Sequence, residues 1–488
     1  MKFTELSDYP VPAGTVTLWT PTTDADPAGW QADRRPFTHD QAALATRSSA
    51  GTEQAENCWL GAIFEIDAFY DPDALRSCLR TWLSRHEALR SGIDAEVGDP
   101  DPPRRTYRGQ HLDVRDDVVG DMATPESVTA LLTETFGARL APTRWPHCLI
   151  ATIATTGRDG FAVVFAADHM VMDAYSILLS MSEIRHLYLT AREGLDAALP
   201  AVGSHLDFSA HDRTIGRGLT VDHPAVARWR GFLDRSEDYP EFGLPLVRPR
   251  LETGEPRRAP RQRGVSEFVA TDESAAFLSA TSRAAGHGTK TAVFAALAVT
   301  YREMTGRDTL RVTMPMHTRH EARYAGSVGW YVGLAPLEID LTAAVTFDDA
   351  LAATAAGIDA VRHLPAFPYQ RIVELLGTAG EPEFVVSYLD VRHVPGASEW
   401  DAARAQILRG SSRSDREVYM WIARVPSGMT LSARYPGHDP ADDSIRGFVA
   451  TYSSVLRVLA TEGSGLPLSA YTRTTCAPPD AVGDARPA

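Results

Sequence analysis

His169 and Asp173 lie four residues apart in "FAADHMVMDAYSILL" (165–179), between a buried-looking apolar run and a helical pattern. A neutral imidazole, whose ordinary pKa is about 6.5, accepts a proton at neutral pH. It can therefore take the proton of a hydroxyl or amine as that group attacks a carbonyl carbon. A turn between a strand end and a helix start holds such a ring both rigid and reachable. Asp173 has a second reading, because aspartate before a helix accepts the free backbone N–H groups of the first turn. On spacing alone the pair is either a base with its loop brace, or a capped helix beside a packed histidine.

Other chemistries find less support. There is no G-x-S-x-G turn and no cysteine in a nucleophile setting, so a covalent acyl-enzyme is not expected. His317 and His320 are three apart with no third ligand following, and "HEARY" (320–324) is not HExxH, so no metal site is expected. "GHGTKT" (286–291) lacks the Gly-Lys of a phosphate loop and reads as a turn. His86, at a helix end in "RHEALR", reads as structural.

The elements that must position His169 are visible as patterns. "HCLIATIAT" (147–155) and "FAVVFAA" (161–167), joined by "TGRDG", predict a hairpin leading into the His169 loop. A helix is predicted over 174–191. "TVTLW" (15–19) and "CWLGAIFEI" (58–66) read as strands, and 71–91 as an amphipathic helix starting at Asp71 or Asp73. The second half predicts helices at 272–285, 290–305 and 440–459. Strands are predicted at 309–316, 334–339, 384–389, 418–425 and 429–435. Strands interleaved with helices in both halves predict an α/β (α+β) chain with mixed sheets.

With 488 residues, two domains of about 200 residues each are expected. A Pro-, Arg- and Gly-rich stretch marks the joint. The predicted organisation is an N-terminal lobe (1–210) carrying the HxxxD motif, a connecting segment (211–265), a C-terminal lobe (266–474) and a disordered tail (475–488). The net charge of −15 excludes a phosphate-backbone binder, since no counterion release would favour one. Residues 248–263 carry six Arg against two Glu and read as a solvated linker. Cys58, Cys78, Cys148 and Cys476 have no disulfide or metal spacing, there is no basic-apolar leader, and no run of apolar residues is long enough to span a bilayer. These features predict a cytoplasmic protein with no transmembrane segment.

"DHMVMDA" (168–174) resembles the HHxxxDG motif of the condensation-domain and chloramphenicol-acetyltransferase-like superfamily, with His169 and Asp173 at its principal positions. Three further stretches agree in order: 73–93, where a helix ends at RHExLR; 211–245, ending in "LP"; and 312–341, with "HTRH" and "VGWYVGLAP". The chain departs from the motif at Asp168, where the first histidine stands, and at Ala174, where the glycine stands. Within the superfamily, "GTVTLWTP" (14–21), "EFVVSYLDVRHVPG" (383–396) and "VYMWIARVPSGMTL" (418–431) look like the polyketide-associated, trehalose-acylating proteins of actinobacteria.

The resemblance implies two chloramphenicol-acetyltransferase-like lobes, each a mixed sheet with flanking helices, forming a V with a central channel. It implies an O-acyltransferase moving a fatty or polyketide acyl group from a thioester to a hydroxyl of a sugar, glycolipid or natural product. His169 would be the general base, Asp173 its structural support, and Arg319 of the second lobe the partner of Asp173. Trp330, Ser387 and Tyr388 are candidates for lining the substrate passage. No cofactor is implied, because acyl-CoA or an acyl carrier protein enters as substrate. A carrier protein or polyketide synthase is a candidate partner, and a monomer is expected. Two alternatives stay open: a stand-alone condensation enzyme joining carrier-bound substrates, and a silent condensation-like domain that recruits a partner.

Overall fold

The computed structural model describes residues 1–23, 29–49, 59–93, 103–155, 159–234, 239–246, 259–378 and 380–471. In the first half, strands β1 (Phe3–Glu5), β2 (Gly14–Thr23) and β3 (Trp30–Asp33) precede helix α1 (His39–Ser49). Next come β4 (Trp59–Ile66), α2 (Pro72–Arg85), β5 (Ser91–Ile93), β6 (Arg104–Tyr107), β7 (Leu112–Met122) and α3 (Pro125–Arg139). The hairpin β8 (Cys148–Ala154) and β9 (Phe161–Asp168) leads to α4 (Ala174–Arg192), α5 (His205–Arg217) and α6 (Pro224–Leu233). The second half holds β10 (Gln262–Thr271), α7 (Asp272–Ala284), α8 (Thr289–Thr305), β11 (Thr309–His317), β12 (Val332–Asp340), α9 (Phe347–Val361) and α10 (Tyr369–Leu376). It closes with β13 (Phe384–Asp390), β14 (Gln406–Arg409), β15 (Val418–Val425), β16 (Gly428–Pro436) and α11 (Asp439–Glu462).

A seven-stranded sheet has the order β1-β14-β4-β9-β8-β2-β7, and a six-stranded sheet the order β10-β16-β15-β13-β11-β12. A small antiparallel sheet, β3-β6-β5, flanks the first. Both large sheets are mixed: β1 runs parallel to β14, and β13 runs parallel to both β11 and β15.

The first sheet is covered on both faces. Val163, Phe165 and Ala167 of β9 pack with Leu79, Trp82 and Leu83 of α2 and Ile177 and Met181 of α4. The alternate residues Ala162, Val164 and Ala166 pack with Val128, Leu132 and Phe136 of α3. A strand buried on both faces reads as a continuous apolar run, which is why β9 shows no alternation. In the second sheet one face is closed by α7, α8, α9 and α11, and α8 is buried from Thr291 to Tyr301 as the central helix of that layer.

The helix predicted over 71–91 stops at Arg85. Asp71 caps its start, accepting from the N–H groups of Asp73 and Ala74, with Pro72 as the first helical residue. At His86 the chain turns out of the helix, and a 3-10 turn (Glu87–Arg90) passes into β5. The other predicted elements lie within a few residues of their expected ends; β2 starts one residue before 15–19 and runs four residues past it.

One connection ignores the division into halves. After β13 the chain leaves the second sheet, and β14 inserts between β1 and β4 of the first. Leu408 pairs with Gly61, and the Gly410 N–H donates to the Trp59 carbonyl at 2.9 Å. Most of the basic stretch 248–263 and the tail from 475 fall outside the described residues, as do Cys58 and Cys476. Arg261 ion-pairs with Glu5, and Arg263 with Asp439. Cys78 and Cys148 are buried free thiols. Among the described residues, no helix is long and apolar enough to cross a membrane.

Candidate active site

The loop after β9 is fixed from both ends. The Asp168 N–H donates to the His147 carbonyl at 2.7 Å, and its carboxylate accepts from the Met170 N–H at 2.8 Å. Burial pushes the Asp168 carboxyl up to about 7, although the Met170 N–H pulls the other way. Asp168 therefore serves the turn: the residue in the motif's first-histidine position holds loop backbone and makes no bond to the His169 ring. Ala174 is no obstacle, because Asp173 ends the loop at φ −121° with extended backbone and Ala174 opens α4.

His169 is partly exposed, and its ring lies 4.3 Å from that of Trp330. Desolvation lowers its pKa below the usual 6.5. Its own carbonyl and the Asp173 charge oppose that shift, and the charges of Arg434 and Arg47 add to it. The ring is therefore neutral at pH 7. Nδ1 is buried without a hydrogen-bond partner, which leaves Nε2 as the nitrogen available to a substrate.

Asp173, 2% exposed, fills both roles that its sequence position allowed. As helix cap, Oδ1 accepts from the Ser176 N–H at 2.7 Å. As clamp, it receives Arg319 in a two-pronged contact, Nη1 to Oδ2 at 2.8 Å and Nη2 to Oδ1 at 3.1 Å. The Tyr331 N–H adds a bond to Oδ2 at 2.9 Å. Burial alone would raise the Asp173 pKa, but the Arg319 charge and these donors outweigh it and hold the carboxyl below the usual range. Arg319 is only 9% exposed, and its guanidinium lies over the Tyr331 ring at 4.3 Å. Paired, planar hydrogen bonds make such a contact directional, so the clamp fixes the β9–α4 loop against the segment between β11 and β12.

Ser176 completes the clamp and was not anticipated from the sequence. Its hydroxyl accepts from Arg319 Nη2 at 2.7 Å and from the Gly329 N–H at 3.1 Å, and donates to the Gly329 carbonyl at 2.8 Å. Gly329 must be glycine, because a Cβ there would lie 2.4 Å from the His205 ring. His86 adds a parallel tie: Nε2 contacts Glu183 at 2.6 Å, and Nδ1 accepts from the Val328 N–H.

Gln41 of α1 is another brace. Thr38 and Gln41 exchange backbone-to-side-chain bonds at the helix start, and Gln41 Nε2 donates to the Met170 carbonyl at 2.6 Å. Gln41 Oε1 also accepts from the buried Arg104. The T-x-x-Q spacing was a readable capping signature. Gln41→Leu strands these buried groups and should lower stability by about 1–3 kcal/mol, measurable as an earlier urea midpoint.

Of the three passage candidates, Trp330 lies against His169 and lines a cavity of about 190 Å³. Ser387 and Tyr388 cannot share a face, because adjacent strand residues point oppositely. Ser387 pairs with Trp421 on the face away from the helix layer. Tyr388 pairs with Ile422 and, partly buried, packs against the core of the second half, on the face opposite Ser387. Tyr331, next to Trp330, is fully buried against His205, Phe208 and Arg319, and contributes its backbone N–H. His317 and His320 lie 6.1 Å apart between ring centres, and among the described residues no group of three or more ligating side chains is placed to hold a metal.

A capped His-x-x-x-Asp loop, clamped by an arginine from the second sheet, within two mixed sheets places the protein in a known class: the chain belongs to the condensation-domain family, whose pattern matches residues 46–419. It is 29% identical over 320 residues to the acyltransferase PapA3 of Mycobacterium tuberculosis, covering 63% of this chain and 65% of that protein. To the trehalose-2-sulfate acyltransferase PapA2 of Mycobacterium tuberculosis it is 24% identical over 323 residues, covering 64% and 67%. The first of these alignments thus spans just under two thirds of the relative's length. In fold it resembles the solved structure of the PapA2 acyl transferase, with a TM-score of 0.81 at 21% identity over 94% of this chain and all of that one. It also resembles the condensation domain of the polyketide synthase MokA, at 0.69 and 18% over 90% of this chain and all of that one.

Proposed function

We propose that this protein is an O-acyltransferase that moves an acyl group from a thioester, on coenzyme A or a carrier protein, to a hydroxyl of a sugar or related acceptor. The observation that carries the reading is the state of His169: neutral at pH 7, partly exposed, and set beside Trp330 on a loop braced at both ends. The curated relatives named as acyltransferases support it.

In the reaction, the acceptor oxygen attacks the thioester carbonyl carbon as His169 Nε2 takes the hydroxyl proton. The new C–O bond forms, the tetrahedral intermediate collapses, and the C–S bond breaks. The departing thiolate takes the proton back from the imidazolium, so the base is regenerated without any covalent enzyme intermediate. Asp173 holds the loop. Its charge favours the imidazolium that forms transiently.

Purified protein incubated with acyl-CoA and trehalose, and separately with loaded carrier proteins, should yield an ester whose mass is the acceptor plus the acyl group less one hydrogen. An amide from two carrier-bound substrates, or no product with any pair, would overturn the reading. The pH dependence gives a second check. Because the His169 pKa is lowered, the base is lost only as pH falls through a value beneath its ordinary one. The acid limb of kcat/KM should therefore lie below about pH 6.5 in a pH–rate profile, and a limb centred above it would exclude His169 as the base.

A further inference from the structure

Trp330 joins His169 to the cavity of about 190 Å³, which opens among the start of α1, helix α5 and the chain before α10. Three carboxyls line it, Asp40, Asp212 and Glu321, with the rings of Phe208, Phe367 and Trp330, and neither lysine nor arginine lines it. Burial, and then the Asp212 charge, push the Asp40 carboxyl up to about 7, and burial pushes Asp212 up to about 6. Asp40 and Asp212 each cap a helix, Asp212 accepting from the His39 N–H at 3.0 Å and Asp40 from the Gln370 backbone. Among the described residues, neither Asp40 nor Asp212 bonds or ion-pairs with a side chain, whereas Glu321 pairs with Arg323 at 3.0 Å. Thr318 also lines the cavity; it is 8% exposed, and its hydroxyl has no hydrogen-bond partner. A buried hydroxyl without a partner is costly unless a bound molecule supplies one.

Building on the transferase reading, we infer that this cavity is the acceptor subsite and that it takes an uncharged polyol, such as a neutral sugar, and rejects an anionic one. Hydroxyls can donate to Asp40 and Asp212 and bond the Thr318 hydroxyl, while the apolar faces of a sugar ring lie on Phe208, Phe367 and Trp330. A sulfate or phosphate ester would find no guanidinium or ammonium. His211 and His320 are the basic side chains that line the cavity. The anion would also lose hydration beside three carboxyls, which penalises it. The relative named for trehalose 2-sulfate thus acts on an acceptor of the opposite charge preference.

The test is calorimetric titration of the full chain, without acyl donor, with α,α-trehalose and with its 2-sulfate. The neutral sugar should bind at least about tenfold more tightly. In Asp40→Asn/Asp212→Asn that gap should narrow, because asparagine keeps the capping oxygens and removes two of the three carboxyls. Thr318→Val should weaken the neutral sugar by about fivefold and serves as the probe if the double variant does not fold. Equal or tighter binding of the sulfate, no binding of the neutral sugar, or an unchanged gap with the carboxyls removed would each overturn the assignment. Sugar binding without any acyl transfer would count against the transferase reading and leave this one standing. Transfer that is blind to the sulfate would do the reverse.

Discussion

His169→Ala should cut the rate of acyl transfer by about 10²–10⁴-fold and leave the fold intact. The imidazole makes no hydrogen bond that holds the loop: Asp168, Asp173 and Gln41 do that, through the Met170 N–H, the Arg319 guanidinium and the Met170 carbonyl. Its removal costs contact with Trp330 and little else, so unfolding should shift far less than activity. Rate and urea stability measured on the same preparation separate the two effects. A variant that transfers acyl groups as well as wild type would sink the base assignment.

Asp173→Ala should instead destabilise the protein by about 3–5 kcal/mol and abolish activity together with the loop's geometry. The substitution leaves the buried Arg319 charge without its carboxylate, and strands the N–H groups of Ser176 and Tyr331. Replacing both partners, as in Asp173→Ala/Arg319→Leu, removes the uncompensated charge and should recover part of the loss without restoring transfer. Chemical denaturation of the two variants makes that comparison. A double variant no more stable than the single one would show that the ion pair is not the source of the loss. The pH direction follows from the depressed Asp173 pKa. The stabilisation is fully present above the ordinary carboxyl value of about 3.9, and it fades as pH falls through the lower folded value.

The candidate base and its brace were legible because the chemistry is local. His169 and Asp173 sit within five residues, between a strand and a helix that both announce themselves. The β8–β9 hairpin, α4, β15 and β16 were equally legible, since their apolar runs and turn signals are contiguous. What stayed hidden depends on neighbours distant in sequence. Ser176 lies just three residues past Asp173, yet its task is set by Gly329 and Arg319. Ser387 and Tyr388 are both passage candidates in the sequence, and only their places in β13 and its pairing with β15 set them on opposite faces. The four residues of β14 carry no pattern long enough to reveal a strand, still less that it belongs to the first sheet. Asp40 and Asp212 are far apart in the chain and meet because α1 and α5 do.

The placement of β14 bears on any attempt to express the halves apart. A polypeptide ending near residue 240 would keep β4 but lack the strand that covers its outer side, and β1 would lose the neighbour that ties it to the same sheet. Such a fragment would present an unpaired ladder to its own copies, a recipe for self-association. Mixed with the remaining half, it should be rescued, since the missing strand arrives on the other polypeptide. Complementation by two separately made pieces is thus built into the way the chain doubles back.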